Sequence, residues 1–242
     1  MNLILFETIA AAEHLRPDDP RARHIRAVLR MKTGDQLFVG VVNGPRGKAT
    51  IADDDSNGLR LEIIWENTIE LPRPIWVLAG MPRPQTARDM LREAATFGIS
   101  ALHFFNTEKG EPSYADSTLW KSEEWKQRLR EGAAQAFATS VPEVKRHASL
   151  EEAIRSVAES APNPSNWLAL DVYEGETLLS NLAPANGPVV LALGAERGWS
   201  AQERLLVHSA GFKLAHLGQR VLRTETALVA GLSVLLARRG EF

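Results

Sequence analysis

The chain has 242 residues, 44% of them hydrophobic, with 30 acidic against 28 basic side chains, a formal net charge of -2 and no cysteine. That length suits one large α/β domain or a large domain with a small one. The missing cysteine excludes disulfides, thiolate metal sites and cysteine nucleophiles together, and the near-neutral balance excludes nucleic-acid binding by bulk charge while leaving room for a local basic patch.

The start, MNLILFETIAAAEHLRPDD, has no basic n-region, and no apolar run reaches 18 residues. Neither a secretory signal nor a membrane span is expected, and a cytoplasmic location is. LILFE (3–7) reads as a short strand. DPRARHIRAVLRM (19–31) reads as a helix, with Asp19 as N-cap and Pro20 at the first helical position, where its missing donor costs nothing. Then QLFVGVVN, KATIAD and LRLEIIW read as strands, with GPRGK and DDDSNG as turns between them. These pieces suggest a small barrel over residues 1–70, and ENTIELPRP (66–74) looks like a linker.

On that helix, Arg23, Arg26 and Arg30 share one face, while Ala22, Ile25, Val28 and Leu29 form the buried one. Two readings stand: a solvated arginine face, or phosphate contacts to a nucleic acid, for which the arginine fork is suited. Arg46 and Lys48 in GPRGK would extend the same patch.

From Ile75 the rhythm becomes alternating strand and helix, assigning 71–242 to a second domain. IWVLAGM precedes a helix near Thr86–Phe97, and LHFFN one near Ser122–Ala138. EVKRH leads into SLEEAIRSVAES, where Ser149 and Glu152 form a capping box. WLALDV and VVLALG are apolar strands. Such alternation indicates a mostly parallel sheet covered on both faces.

Three strand ends in this half draw attention. WLALDVYEGE ends in a loop around Asp171–Gly175. PVVLALG runs into Gly194–Trp199, before a helix opened by a Ser200/Glu203 capping box and closed near Gly211. FKLAHL ends at Gly218 and feeds residues 218–223 and an apolar last helix. Ligands bind at the carboxyl ends of parallel strands. Gly218, Arg220, Arg223, Thr224, Glu225 and Thr226 crowd the mouth of that helix. A cation is disfavoured at a helix N-terminus, so two arginines there suggest an anionic or electron-rich partner. The alternative is that Thr224 or Thr226 caps the helix and the arginines are surface residues.

Other chemistries lack their signatures. There is no G-x-G-x-x-G, no P-loop and no G-x-S-x-G elbow. The six histidines show no H-x-x-x-H or H-E-x-x-H pairing, so no metal site is expected.

HIRAVLRMKTGDQLFVG, LALGAERGWS and HLGQRVLRTETALVAGL resemble, in that order, the ribosomal small-subunit methyltransferase E family of the SPOUT superfamily. PRPQTARDMLREAATFGIS and GAAQAFATSVPEV extend the likeness over nearly the whole chain. The resemblance implies methylation of uracil N3 in 16S rRNA with S-adenosyl-L-methionine and no metal. It also implies a trefoil-knotted C-terminal α/β domain, a PUA-like RNA-binding barrel before it, and a homodimer that brings one subunit's barrel near the other's knot. It places the cofactor against Leu170, Asp171, Leu193, Gly194, Glu196, Gly198, Leu217, Gly218, Val221, Leu222 and Thr226. Arg223 and Arg220 become the catalytic candidates, with Arg220 alternatively a phosphate clamp and Glu225 holding one of them by a bidentate pair.

The chain departs from the family pattern in places. Its glycine loop reads Gly194-Ala195-Glu196-Arg197-Gly198 where relatives carry Gly-Pro-Glu-Gly-Gly. Ala134 and Ala138 stand where the middle motif has a glutamate and an arginine. These departures keep two rivals open: a SPOUT enzyme for another RNA or base, and an RNA-binding assembly factor without catalysis.

Overall fold

The computed structural model describes residues 3–163 and 166–242. The chain forms two compact units, one gathering the chain up to Leu71 together with Ala133–Val141, the other Pro72–Gly132 and Pro142–Phe242. Residues 133–141 therefore lie outside the unit that the sequence order assigns them to. Their backbone explains it: Leu3 N donates to Ala134 O (3.1 Å) and Asn43 N to Thr139 O (2.9 Å), while Thr139 Oγ1 donates to Gly44 O (2.7 Å). A Cβ on Gly40 would lie 2.5 Å from the Thr139 methyl, so the segment sits flush on a strand that must be bare there.

The first unit is a five-stranded sheet of β1 (Ile4–Phe6), β2 (Ala12–Leu15), β3 (Gln36–Val41), β4 (Pro45–Asp55) and β5 (Gly58–Ile69), in the order β1-β3-β4-β5-β2. Only β1 and β3 pair in parallel. Two readings of this region need correction. GPRGK is not a turn: Asn43, at φ 55, makes the turn, and Pro45 already opens β4, which puts Arg46 and Lys48 on a strand. ENTIELPRP is mostly not a linker, because β5 continues to Ile69 and β6 (Arg73–Gly80) begins four residues later.

The helix is also not regular. α1 (Pro20–Arg23), capped by Asp19 accepting from Arg21 N at 2.8 Å, runs into a π-helical stretch, His24–Leu29, that ends with Arg30 in the left-handed region. Ala22 and Ile25 are buried with Phe6, Val39 and Leu61, but Val28 is exposed. The wider π turn rotates Val28 off the core side.

The second unit is a seven-stranded, wholly parallel sheet. Its elements after β6 are α2 (Pro84–Thr96), β7 (Ile99–Phe105), α3 (Thr118–Lys121), α4 (Glu124–Gln135), β8 (Glu143–His147), α5 (Leu150–Ser160) and β9 (Trp167–Leu170). Then follow β10 (Thr177–Leu178), α6 (Leu179–Leu182), β11 (Val189–Leu193), α7 (Ala201–Ser209), β12 (Lys213–His216) and α8 (Thr224–Arg238). The strand order is β10-β12-β9-β11-β6-β7-β8.

Alternate side chains of one strand serve opposite faces. Val190 and Ala192 pack with α5 and α7, while Leu191 meets α8, where a Cβ on Gly231 would lie 3.0 Å from its Cδ2. Both faces are covered, and β6, β9, β11 and β12 all present their carboxyl ends at one edge.

At the far side of this sheet, His103 Nδ1 lies 3.1 Å from His147 Nε2 and the rings stack at 5.2 Å. His103 is fully buried and its Nε2 has no hydrogen-bond partner among the described residues. Burial, then the neighbouring His147 and Lys145, lower its pKa to about 4, and burial lowers that of His147. The folded form therefore refuses a proton that the unfolded chain accepts near pH 6.5. Stability should be intact above that pH and decline as pH falls toward 4, by on the order of 3 kcal/mol for His103. His103→Asn should flatten this decline in urea midpoints measured from pH 7 to pH 4.5.

Candidate active site

Three loops leave the carboxyl ends of β9, β11 and β12 and enclose a cavity of about 230 Å³. The first begins at Asp171, which is buried and accepts from Arg204 Nε at 2.6 Å and from the amides of Tyr173 (2.9 Å) and Glu174 (3.3 Å). Burial alone would raise its carboxyl pKa; the Arg204 hydrogen bond and the amides outweigh it, leaving a value below the usual range. The charged carboxylate thus pins the loop, and Gly175 closes it where a Cβ would sit 2.4 Å from Asp171 O.

The second loop is a turn closed by Gly198 N donating to Ala195 O at 2.8 Å, with Gly198 at φ 71. Trp199 anchors it. The indole is buried, stacks at 6.1 Å on Phe105, and donates Nε1 to Leu170 O at 2.9 Å, tying the end of β11 to the end of β9. Lys109 Nζ holds Trp199 O at 2.7 Å. Ser200 and Glu203 then exchange both capping-box hydrogen bonds and launch α7.

In the third loop, Gly218 N donates to His216 Nδ1 at 3.0 Å, and Gly218 sits at φ 118 with nothing within 4 Å of where a Cβ would be. Gly218 lines the cavity, and the place of its Cβ is open space. Thr224 and Ala227, three apart on α8, complete the wall.

A second cavity, of about 370 Å³, is lined by Arg83, Glu196, Val221, Leu222, Arg223, Thr224 and Glu225. It shares Glu196, Val221, Leu222 and Thr224 with the first. Arg83, just before α2, donates Nε to Thr86 Oγ1 (3.2 Å) and lies 3.3 Å from Glu196 Oε1, to which Thr86 Oγ1 also donates (3.1 Å). Among the described residues no group of three metal-ligating side chains converges, and no helix is long and apolar enough to cross a membrane.

The profile of an RNA methyltransferase domain matches residues 69–236, and that of an RNA methyltransferase PUA domain matches 17–64. A ribosomal RNA small subunit methyltransferase E from Treponema pallidum is 33% identical over 98% of this chain and 91% of its own length. The chain belongs to the ribosomal RNA small subunit methyltransferase E family. A second member, from Borreliella burgdorferi, is 27% identical over 99% of this chain and 98% of its own. Among solved structures, the Neisseria gonorrhoeae methyltransferase E bound to S-adenosyl methionine shares the fold, with a TM-score of 0.79 at 22% identity over 98% of this chain and 97% of that one.

In this member of the methyltransferase E family, Leu170, Asp171, Leu193, Gly194, Glu196, Gly198, Leu217, Gly218, Val221 and Leu222 all line the first cavity. Thr226 does not; it is exposed and touches neither cavity. α8 begins at Thr224, and two residues on, at about 100° per residue, the side chain points away, so Thr224 takes the place expected for Thr226. The two arginines part company: Arg220 lines the first cavity and Arg223 the second.

The expected bidentate pair between Glu225 and an arginine is absent among the described residues. Arg223 is the N-cap of α8 in extended backbone and Glu225 the second helical residue, so the two side chains diverge. The carboxylate that does pair with an arginine is Glu196, with Arg83. Arg83 and His216 were missed by sequence reading: nothing in their local pattern marks them, and only the fold brings them to the site.

In the first unit, Arg23 and Arg30 are exposed, but Arg26 is committed. It ion-pairs with Asp54, with Nε at 2.8 Å, and donates Nη2 to Asp55 O (3.2 Å) and Gly58 O (3.1 Å). It pins the helical segment to the β4–β5 hairpin and is not free for phosphate. Arg46 lies 5.7 Å over the Phe137 ring and 3.7 Å from Glu66, and Lys48 5.3 Å over Phe38, on one aromatic and basic surface.

Proposed function

We propose that this protein methylates N3 of a uridine in 16S rRNA, with S-adenosyl-L-methionine as donor and as a homodimer. The observation that carries the reading is the pair of adjoining cavities: one walled by glycine-bearing loops at three strand ends, the other by two arginines and two glutamates, with Glu196, Val221, Leu222 and Thr224 between them. The first cavity fits the cofactor. Its bare Gly218 edge admits close approach, and its walls combine apolar side chains with polar ones such as Asp171, Glu196 and Thr224, as a nucleoside sulfonium with an amino-acid tail requires. S-adenosylmethionine, when bound, supplies a methyl group already activated by its sulfonium, so the reaction needs no metal.

What the chain adds is position and charge. A base admitted to the second cavity lies next to the first, with N3 and the methyl group held for in-line approach. As N3 loses its proton, negative charge spreads over the uracil carbonyls, and the guanidinium of Arg223, on the wall of that cavity, is available to stabilise it. The target must leave its stack to enter, which single-stranded or junction RNA makes easier.

The homodimer is supported by α8, whose Val229, Ala230 and Val234 remain only partly buried on a helix with an otherwise buried face. A trefoil knot is supported by β9, β11 and β12 lying side by side out of chain order. Mapping modified nucleosides in small-subunit rRNA from a strain lacking the protein tests the reading. One N3-methyluridine should disappear and return with the restored gene. Loss of a different modification would establish the rival SPOUT enzyme instead.

Arg23, Arg30, Arg46 and Lys48 serve RNA affinity through phosphate contacts in this reading. The exposed Arg46–Glu66 pair is weak enough to yield to a phosphate. Replacing all four with Ala should lower the slope of log affinity against log salt by about 0.7–0.9 for each phosphate that the protein no longer neutralises. Filter binding at several salt concentrations reads it, and an unchanged slope would assign these residues to a solvated face.

A further inference from the structure

We infer that Glu196 accepts the N3 proton of the target uracil and, together with Arg83 and Arg223, reads the base in the second cavity; this rests on the uracil-N3 methyltransferase reading. Four residues are common to both cavities, and Glu196 is the only one of them that is ionisable. It therefore stands where a donor and an acceptor would meet. Its backbone is fixed in the turn closed by Gly198 N and Ala195 O. Its side chain is fixed as well: Arg83 and Thr86 both contact Oε1, leaving Oε2 without a hydrogen-bond partner among the described residues. Glu225, the other carboxylate of the second cavity, lines that cavity alone and has no ion-pair partner among the described residues.

The chemistry of the base matches this arrangement. The pairing edge of uracil presents an acceptor, a donor and an acceptor: O4, N3–H and O2. The cavity supplies guanidinium donors, Arg83 and Arg223, and a carboxylate acceptor, Glu196. Cytosine offers a lone pair at N3 and an amino group at C4, which would set a lone pair against the carboxylate and a donor against an arginine, so it is rejected by unpaired polar groups.

In the step itself, the N3–H bond breaks with its electron pair left on the base and its proton moving to Glu196 Oε2. That pair forms the bond from N3 to the methyl carbon, while the pair of the carbon–sulfur bond stays on sulfur. The anionic character passing through O2 and O4 falls to the arginines. Arg83, paired with Glu196 on one side and open to the cavity on the other, acts on both partners of the proton transfer.

The test uses the full-length protein, S-adenosylhomocysteine calorimetry, and single-turnover methylation of unmethylated small ribosomal subunits from pH 6 to pH 9. Glu196→Gln should bind S-adenosylhomocysteine with parental affinity and lose about 10²-fold in rate at neutral pH. Its rate should then climb by about tenfold per pH unit as uracil ionises unaided, while the parental profile stays flatter. Glu196→Asp should recover part of the rate with the parental profile. The inference is overturned if Glu196→Gln methylates at the parental rate, if its loss is independent of pH, or if it loses S-adenosylhomocysteine affinity, since the carboxylate would then serve the donor. A parental protein that binds S-adenosylhomocysteine and leaves subunits unmethylated at every pH overturns the methyltransferase reading along with it.

Discussion

Gly218→Val is expected to abolish S-adenosylmethionine binding while the protein remains folded. Gly218 sits at φ 118, a conformation open to glycine and costly for a β-branched residue, and it lines the cavity with open space where a Cβ would stand. Two branches of a valine would stand in a space of about 230 Å³ that the cofactor must fill. The strain itself, on the order of 1–3 kcal/mol, is a fraction of the roughly 5–15 kcal/mol that holds a typical domain together. Binding should vanish and the fold persist. Gly240→Val separates the two effects: Gly240 also has a positive φ, 69, with open space around it, but lies outside both cavities. It should lose stability and keep cofactor affinity. Calorimetry with S-adenosylhomocysteine, beside a thermal melt, reads both variants. Parental affinity in Gly218→Val would mean that the donor binds elsewhere.

The parts of this site that were legible in the sequence are those where chemistry is local. An apolar run ending in glycine marks a buried strand and its loop, and Ser200 with Glu203 marks a helix start whose two hydrogen bonds both form. The loops that open at Gly194 and Gly218 follow from those two signals, and the cofactor positions around them come from the family resemblance. What escaped depends on contacts far apart in the chain. Arg83 looks like a turn residue among prolines until Glu196 is brought to it by the sheet. Arg26 looks like its neighbours Arg23 and Arg30 until Asp54 folds against it. Residues 133–141 end a helix of one unit and pack into the other, which no periodicity reports. Thr226 lies outside both cavities because α8 already begins at Thr224, and two residues further on the side chain faces outward.

Arg223→Lys is expected to keep cofactor affinity and lose turnover by about 10² to 10³, the range for removing one preorganised donor. Arg223 caps α8 without making a side-chain capping bond, and no carboxylate pairs with it among the described residues. A cation held at the positive end of a helix dipole is unfavourable by itself, so its placement is explained by what enters the second cavity, an electron-rich base. Lysine retains the charge but not the planar fork, and a flexible ammonium loses orientation toward a carbonyl oxygen at the moment charge develops there. Arg220 lines the other cavity and is exposed, so Arg220→Ala should weaken binding and leave the rate at saturation nearly unchanged. Single-turnover assays at saturating RNA and cofactor separate the two. Parental turnover in Arg223→Lys with a dead Arg220→Ala would reverse the roles of the two arginines. Full activity in both would reduce the polar cluster to a helix start and leave the charge on the base to Arg83 alone.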